Sequence, residues 1–468
     1  MLIANQYSCI GEIDAWCRAI PPNHKILLFT KGISTLSRIS GHEHKKMCSI
    51  LLGLIVDLPI PDGRDSSRII KSVRALMDFI FLAQYKSHTT ESIERLEDCL
   101  AAFHDHKAVF VDLGIRANFN LPKLHSLTHY TSSIQLFGTT DNYNTEQSER
   151  LHIDFAKDAY CATNRKDEYP QMTAWLERRE KMQQHAALIN RRQQGLQQRT
   201  QTRKIIGPPC TRAQHVKMTR HPSVKAVSFD ILKTQYGALN FQDALANFIA
   251  LANNPGARGS TLRVRAEDTL IPFRAIPVFH IIKFMEIEKP DIIDSVFARP
   301  EQRDKRGRII PSRFDTVLVQ SASQDTTQGR IQGNSQSYSV DLNLTNWYPG
   351  LQIAQVRVVF QLPKKTIQEV CPSLDTSPPT HLAYVEWFSP LTTTPDPKHL
   401  MYRVSRLTQG GERRAGIIPV DWIRCSVHLL PRFGPVVPHD WNSFTVLEQC
   451  QTFYLNPFTD VESYITFA

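Results

Sequence analysis

Ionisable side chains crowd the stretch Phe137-Gly-Thr-Thr-Asp-Asn-Tyr-Asn-Thr-Glu-Gln-Ser-Glu-Arg-Leu-His-Ile-Asp-Phe-Ala-Lys-Asp158. A helix beginning at Thr145 places Glu146, Glu149, Arg150 and Ile153 on one face, at i, i+3, i+4 and i+7. Two carboxylates one turn apart can hold a divalent cation when further oxygen ligands converge on it. Enzymes that cut nucleic acid with two ions set them about 4 Å apart, which takes several carboxylates from distant parts of a chain. One helix supplies half of that set at best. The plainer reading of these acids is a helix start whose first-turn carboxylates complement the dipole.

Other constellations are thinner. His125 and His129 stand at i and i+4, but no Glu follows the first, so the metalloprotease pattern fails. His42-x-His44 and His104-x-His106 are pairs without cysteine partners, and all three pairs read as surface or core histidines. No Gly-rich phosphate loop ending in Gly-Lys-Ser/Thr occurs, and no Gly-x-Ser-x-Gly nucleophile turn. From Leu176 to Arg220 cations meet few acids: Arg178, Arg179, Lys181, Arg191, Arg192, Arg199, Arg203 and Lys204 stand among glutamines. This run reads either as a solvated helix fading into a linker or as an arm that contacts phosphates in a salt-dependent way.

The elements that must carry these groups divide the chain into 1–175, 176–222, 223–289 and 290–468. The first part is helical by pattern. Met47, Ile50, Leu51, Leu54 and Ile55 share one helical face, and Leu58-Pro-Ile-Pro-Asp-Gly63 ends that helix. Ile69, Val73, Leu76, Met77 and Ile80 form the next stripe, and Ile93, Leu96, Leu100 and Phe103 a third, opened by Thr89 and Thr90. Ala108 to Leu113 fits a short strand or a helix end. A helix is expected from Thr145 to about Tyr160, and a longer one after Pro170. The second part is a basic helix and linker, the third a small helical segment. Beyond Pro290, strands are expected at 314–320, 356–361, 383–388, 401–405, 417–420 and 423–430, with a loop at 321–340. The fold class is therefore α+β, its C-terminal part a small β-barrel or β-sandwich. Tyr384, Trp387, Phe388, Tyr402 and Trp422 fall in that part, and alternate strand positions read as core before they read as a recognition surface.

Lys plus Arg exceed Asp plus Glu by 55 to 45 over 468 residues, a surplus that suits a polyanionic partner without requiring one. Nine cysteines, irregularly spaced and without a Cys-x-x-Cys pair, argue against a disulfide framework or a cysteine zinc finger. The first residues lack a signal-peptide pattern, and the most apolar run, Met47–Ile60, is interrupted by Asp57 and Pro59, so no membrane partner and a soluble, intracellular protein are expected.

Longer patterns carry a resemblance. Ile20-Pro-Pro-Asn-His24, Lys31-Gly-Ile-Ser34, Leu51-Leu-Gly-Leu-Ile-Val-Asp57 and Phe110-Val-Asp-Leu-Gly-Ile-Arg116 are four of its blocks. Phe119-Asn-Leu-Pro-Lys-Leu-His125, the block from Phe137 to Ala162 and Asp167-Glu-Tyr-Pro-Gln-Met172 follow, with looser likeness at Ala383–Phe388 and Phe453-Tyr-Leu-Asn-Pro457. Together they resemble the fungal Plavaka transposases, allied to the Kyakuja–Dileera–Zisupton transposons, over nearly the whole chain. The resemblance implies the end of a ribonuclease-H-like core in which two aspartates and a late glutamate hold two Mg2+ ions. It makes Glu149 the first choice for the late metal-binding acid and Glu146 the second, with Arg150, His152 and Asp141 beside them. It implies double-stranded DNA as partner and the nucleus as location, with self-association left open.

The likeness also implies strands with both aspartates ahead of the helical insertion, whereas the helical region here begins almost at Met1, and Asp14 in an expected helix is a poor substitute. The expectation is a truncated transposase-derived protein that binds DNA, with Arg178, Arg179, Arg191, Arg192, Arg203 and Lys204 as contacts, and that does not cut DNA alone. The alternative is a non-enzymatic DNA- or chromatin-binding protein derived from a transposase.

Overall fold

The computed structural model describes residues 10–58, 60, 66–197, 214–254, 257–286, 292–320, 351–363, 367–371, 380–392 and 394–468. The fold is α+β, and contacts divide it into two compact units. The larger joins Met1–Phe81 and Ala101–Phe119 to Arg212–Ala468; the smaller comprises Leu82–Leu100 and Asn120–Thr211.

The larger unit is organised by a seven-stranded antiparallel sheet. Its strands are β1 (Val224–Ser228), β2 (Ala275–Phe279), β3 (Thr316–Gln320), β4 (Leu351–Phe360), β5 (Leu382–Trp387), β6 (Ala415–Pro419) and β7 (Ile423–Val427). The main path runs β6-β5-β4-β2-β1, while β3 pairs with both β4 and β7, and no closed barrel forms among the described residues. β4 is buried along nearly its whole length, and the polar Gln352, Gln355 and Arg357 within it are buried with its apolar residues.

A bulge explains how β4 serves both faces. Its register against β5 shifts between Val356 and Val358, leaving Arg357 as the extra residue. The extra residue inverts the alternation: Ala354, Val356 and Val359 enter one core cluster, Val358 and Phe360 the other. The Phe241–Asn253 helix covers the second cluster with Phe241, Leu245 and Ile249. The first cluster is completed by Ile282, Phe284, Val296 and Ala298 from a four-stranded sheet containing Ile281–Glu286 and Ile292–Arg299. The segment 223–289 is thus not a separate helical piece, because it also supplies β1, β2 and the strand Ile281–Glu286. The loop expected at 321–340 lies outside the described residues.

The N-terminal helices belong to this same unit, which the boundary expected after residue 175 does not reflect. Ser40 and Glu43 form a reciprocal capping box that starts the helix Gly41–Ile55. Trp16 stacks on Phe433 with ring centroids 5.8 Å apart. On the helix Ser67–Leu82, Arg74 pairs with Asp78 at 2.7 Å and donates to the His399 carbonyl at 2.9 Å. The Tyr464 hydroxyl donates to Asp78 at 3.0 Å. Asn23 donates to Ser426 Oγ at 3.1 Å, and that hydroxyl donates in turn to buried Asp294 at 2.8 Å.

Fully buried His428 links two blocks of the sequence resemblance. Its Nε2 lies 3.1 Å from the Pro21 carbonyl, which can only accept, so Nε2 carries the proton and Nδ1 accepts from Asn456 Nδ2 at 3.0 Å. Asn456 donates again, to the Ser49 carbonyl, at 2.8 Å. Burial holds the imidazole neutral and pushes its pKa down to about 4, against the smaller opposing effect of the Pro21 carbonyl.

Asp14 is likewise structural. Its carboxylate accepts from the backbone N–H of Ile33 at 2.8 Å and of Ser34 at 3.0 Å, and from the Ser34 hydroxyl. Gly32, at φ +85°, permits this approach, since a Cβ there would lie 2.2 Å from the Asp14 carboxyl group.

The smaller unit is helical. Ala108 to Leu113, in the larger unit, resolves to the helix Val109–Asp112. Within the smaller unit, Pro122–Ser126 continues through a 3-10 turn into Tyr130–Phe137, and Thr145–His152 precedes the long helix Glu168–Gln197.

Candidate functional site

The acid-rich segment is helical from Thr145, as its spacing predicts, but it contains a π turn. Thr145–His152 passes through the π turn Ile153–Lys157 into Asp158–Cys161. Glu146 and Glu149 lie one turn apart on that first helix. The side chains of Glu149, Arg150 and His152 are exposed, whereas that of Glu146 lies outside the described residues. Asp141 sits in the 3-10 turn Thr140–Asn142, where its carboxylate pairs with Lys86. Thr140 Oγ1 fixes the same turn by donating to the Ala83 carbonyl at 2.8 Å.

Among the described residues no group of three or more His, Cys, Asp and Glu side chains is placed to hold a metal ion. Mg2+ demands a near-octahedral shell of oxygens, and a two-ion centre demands several shared carboxylates. Exposed Glu149 offers one carboxylate. The described donors do not form the set that two Mg2+ ions require.

Sequence spacing did not reveal the π turn. In it the N–H of Asp158 bonds to the Ile153 carbonyl, five residues back, in place of the α-helical i−4 bond. The neighbouring Asp154 carbonyl accepts from Arg179 Nη1 at 2.7 Å, and the Arg179 guanidinium lies over the Phe155 and Trp175 rings at 5.8 and 5.4 Å. Arg179, expected as a phosphate contact, therefore clamps the π turn to the long helix.

The other cations of that helix remain outside. Arg178, Lys181, His185, Arg191 and Arg192 are exposed, and Lys181 faces Glu177 at 3.5 Å. At about 100° per residue, Arg178, Lys181, His185 and Arg192 fall within an arc of roughly 60° along about 21 Å of helix. Arg203 and Lys204 lie outside the described residues.

The densest ionic cluster lies in the larger unit and was not among the candidates. Arg357, the bulge residue of β4, reaches Glu386 of β5 at 2.9 Å and Glu448 of the helix Val446–Gln449 at 2.5 Å. Arg413 bonds both carboxylates, and Arg406 donates to Gln355 at 2.6 Å and to the Leu447 carbonyl. Burial alone would raise the Glu448 carboxyl, but Arg357, with Arg406 and Arg413 behind it, outweighs burial and holds it at about 2. Burial first, and then repulsion from Arg413, brings Arg406 down to about 9.

Carboxylates bridged by guanidinium groups are poor general acids and have few lone pairs left for a cation, so this cluster locks β4, β5 and the Val446–Gln449 helix together. A signal for it existed: Arg357 and Glu386 are opposite charges, each the one charged residue of a β-branched and aromatic strand run, and buried charges must find partners.

The aromatic residues of the β-rich part fill the core. Tyr384, Trp387 and Phe388 are buried, and Tyr402 and Trp422 pack against the core clusters. Among the described residues no helix is long and apolar enough to cross a membrane. No family model, no curated protein and no solved structure matches the chain.

Proposed function

We propose that this chain is a DNA-binding polypeptide of transposase descent that does not cut DNA by itself. The observation that carries the binding half is the exposed cationic stripe of the long helix, Arg178, Lys181, His185 and Arg192. Duplex DNA presents about one phosphate charge per 1.7 Å of axis, so a straight row of this length meets several phosphates without reading any base. Binding of this kind is sequence-independent and salt-sensitive, and it suits a nuclear protein that acts on double-stranded DNA. The descent rests on the long blocks of the resemblance, above all Phe137 to Ala162.

The non-cutting half rests on the position of Glu149, exposed and outside any described group of three or more metal-ligating side chains. A surface carboxylate without a converging set of further acids cannot set two ions against one phosphodiester. The purified full chain, incubated with supercoiled plasmid and Mg2+, is expected to leave the plasmid closed. Nicking that requires Mg2+ and disappears in Glu149→Gln would overturn this half and make Glu149 a catalytic ligand.

A further inference from the structure

The geometry points to a transition-metal site at His125 and His129, a two-imidazole chelate for a late first-row divalent ion such as Zn2+. The two residues sit one turn apart where Pro122–Ser126 runs through the 3-10 turn Leu127–His129. Both side chains are exposed, and their Nε2 atoms face each other at 3.3 Å. The ring planes are nearly perpendicular, at 88° with centroids 5.0 Å apart.

That separation is the useful quantity. Zn–N bonds measure about 2.05 Å, so two nitrogens 3.3 Å apart subtend about 107° at a shared ion, close to the tetrahedral angle. In the metal-free neutral pair one Nε2–H donates to the other Nε2. Binding replaces this shared proton with the cation: the donor ring's proton moves to its Nδ1, and both Nε2 lone pairs bond the ion, with no net proton released. Imidazole suits Zn2+, Cu2+ and Ni2+, whereas Mg2+ takes oxygen ligands. The site is thus chemically distinct from any Mg2+ role for Glu149. Two protein ligands leave the other coordination positions to exchangeable groups, so binding is reversible.

The test is metal protection of the rings from diethyl pyrocarbonate, read residue by residue by peptide mass spectrometry on the full chain. Micromolar Zn2+ is expected to suppress labelling of His125 and His129 together, while exposed His185 stays labelled and Mg2+ protects none of them. In His125→Ala the protection of His129 should be lost, and in His129→Gln that of His125. Because both side chains are exposed, neither variant should shift the unfolding midpoint, which checks that the fold is intact. Equal labelling of His125 and His129 with and without Zn2+ would overturn the site. So would protection of His129 that survives His125→Ala.

Discussion

The two units place the same kinds of side chain in opposite circumstances. In the larger, several polar groups are buried and take partners from far along the chain: Asn23 with Ser426, Ser49 with Asn456, Asp78 with Tyr464. In the smaller, charged groups stand at the surface, and several partners are a turn away, as with Lys181 and Glu177. Glu386 and Glu149 show the contrast most plainly. Glu386 is 4% exposed, and its Oε2 is bridged by Arg357 and Arg413, so its position is fixed. Glu149 is exposed, and among the described residues it joins no group of three or more His, Cys, Asp or Glu side chains that could hold a metal ion. Among the described residues, the charges fixed by several partners are those that hold the fold together.

The sharpest way to break this contrast is to remove one partner of the buried cluster. Arg357→Leu leaves Glu386 and Glu448 short of a cation and should cost about 3–5 kcal/mol of stability, read from the urea midpoint of the full chain. A loss below about 1 kcal/mol would show that the cluster is solvated and that the two units differ less than described.

His428 gives the next largest effect. Above its ordinary pKa of 6.5, neither the folded nor the unfolded chain carries this proton. Between 6.5 and about 4 only the unfolded chain takes it up, so stability falls by about 3 kcal/mol as the pH drops through that window. His428→Gln should flatten this part of the stability–pH curve, and an unchanged curve would mean that the imidazole is not buried neutral. Glu149→Gln should change stability by no more than about 0.5 kcal/mol, as a surface change without fixed partners. A larger loss would show that Glu149 has a structural partner.

Helices were legible in the sequence because their signal is local. The stripes Met47–Ile55, Ile69–Ile80 and Ile93–Phe103 all fall within observed helices, and Ser40 and Glu43 complete a cap. Most strands after Pro290 were legible as runs of β-branched and aromatic residues. Strand order was not, nor was the bulge at Arg357, because which strands pair depends on residues tens to hundreds of positions apart. The packing of Met1–Phe81 into the unit of Arg212–Ala468 was hidden for the same reason. The candidate site was legible in part. The helix that carries Glu149 and the long helix that carries Arg178 to Arg192 stand where the sequence pattern put helices. The commitment of Arg179 to the Asp154 carbonyl could not be read, because it depends on a π turn that residue spacing does not encode.

The measurement that bears most directly on the central claim is the salt dependence of binding to a duplex of arbitrary sequence, by fluorescence anisotropy, for the wild-type chain and for Arg178→Gln/Arg192→Gln. Each lost phosphate contact lowers the slope of log K against log salt by about 0.9. A slope shallower by nearly 2 is expected in the double variant, with weaker binding to every duplex alike. An unchanged slope would contradict the claim and remove the long helix as the DNA-binding surface.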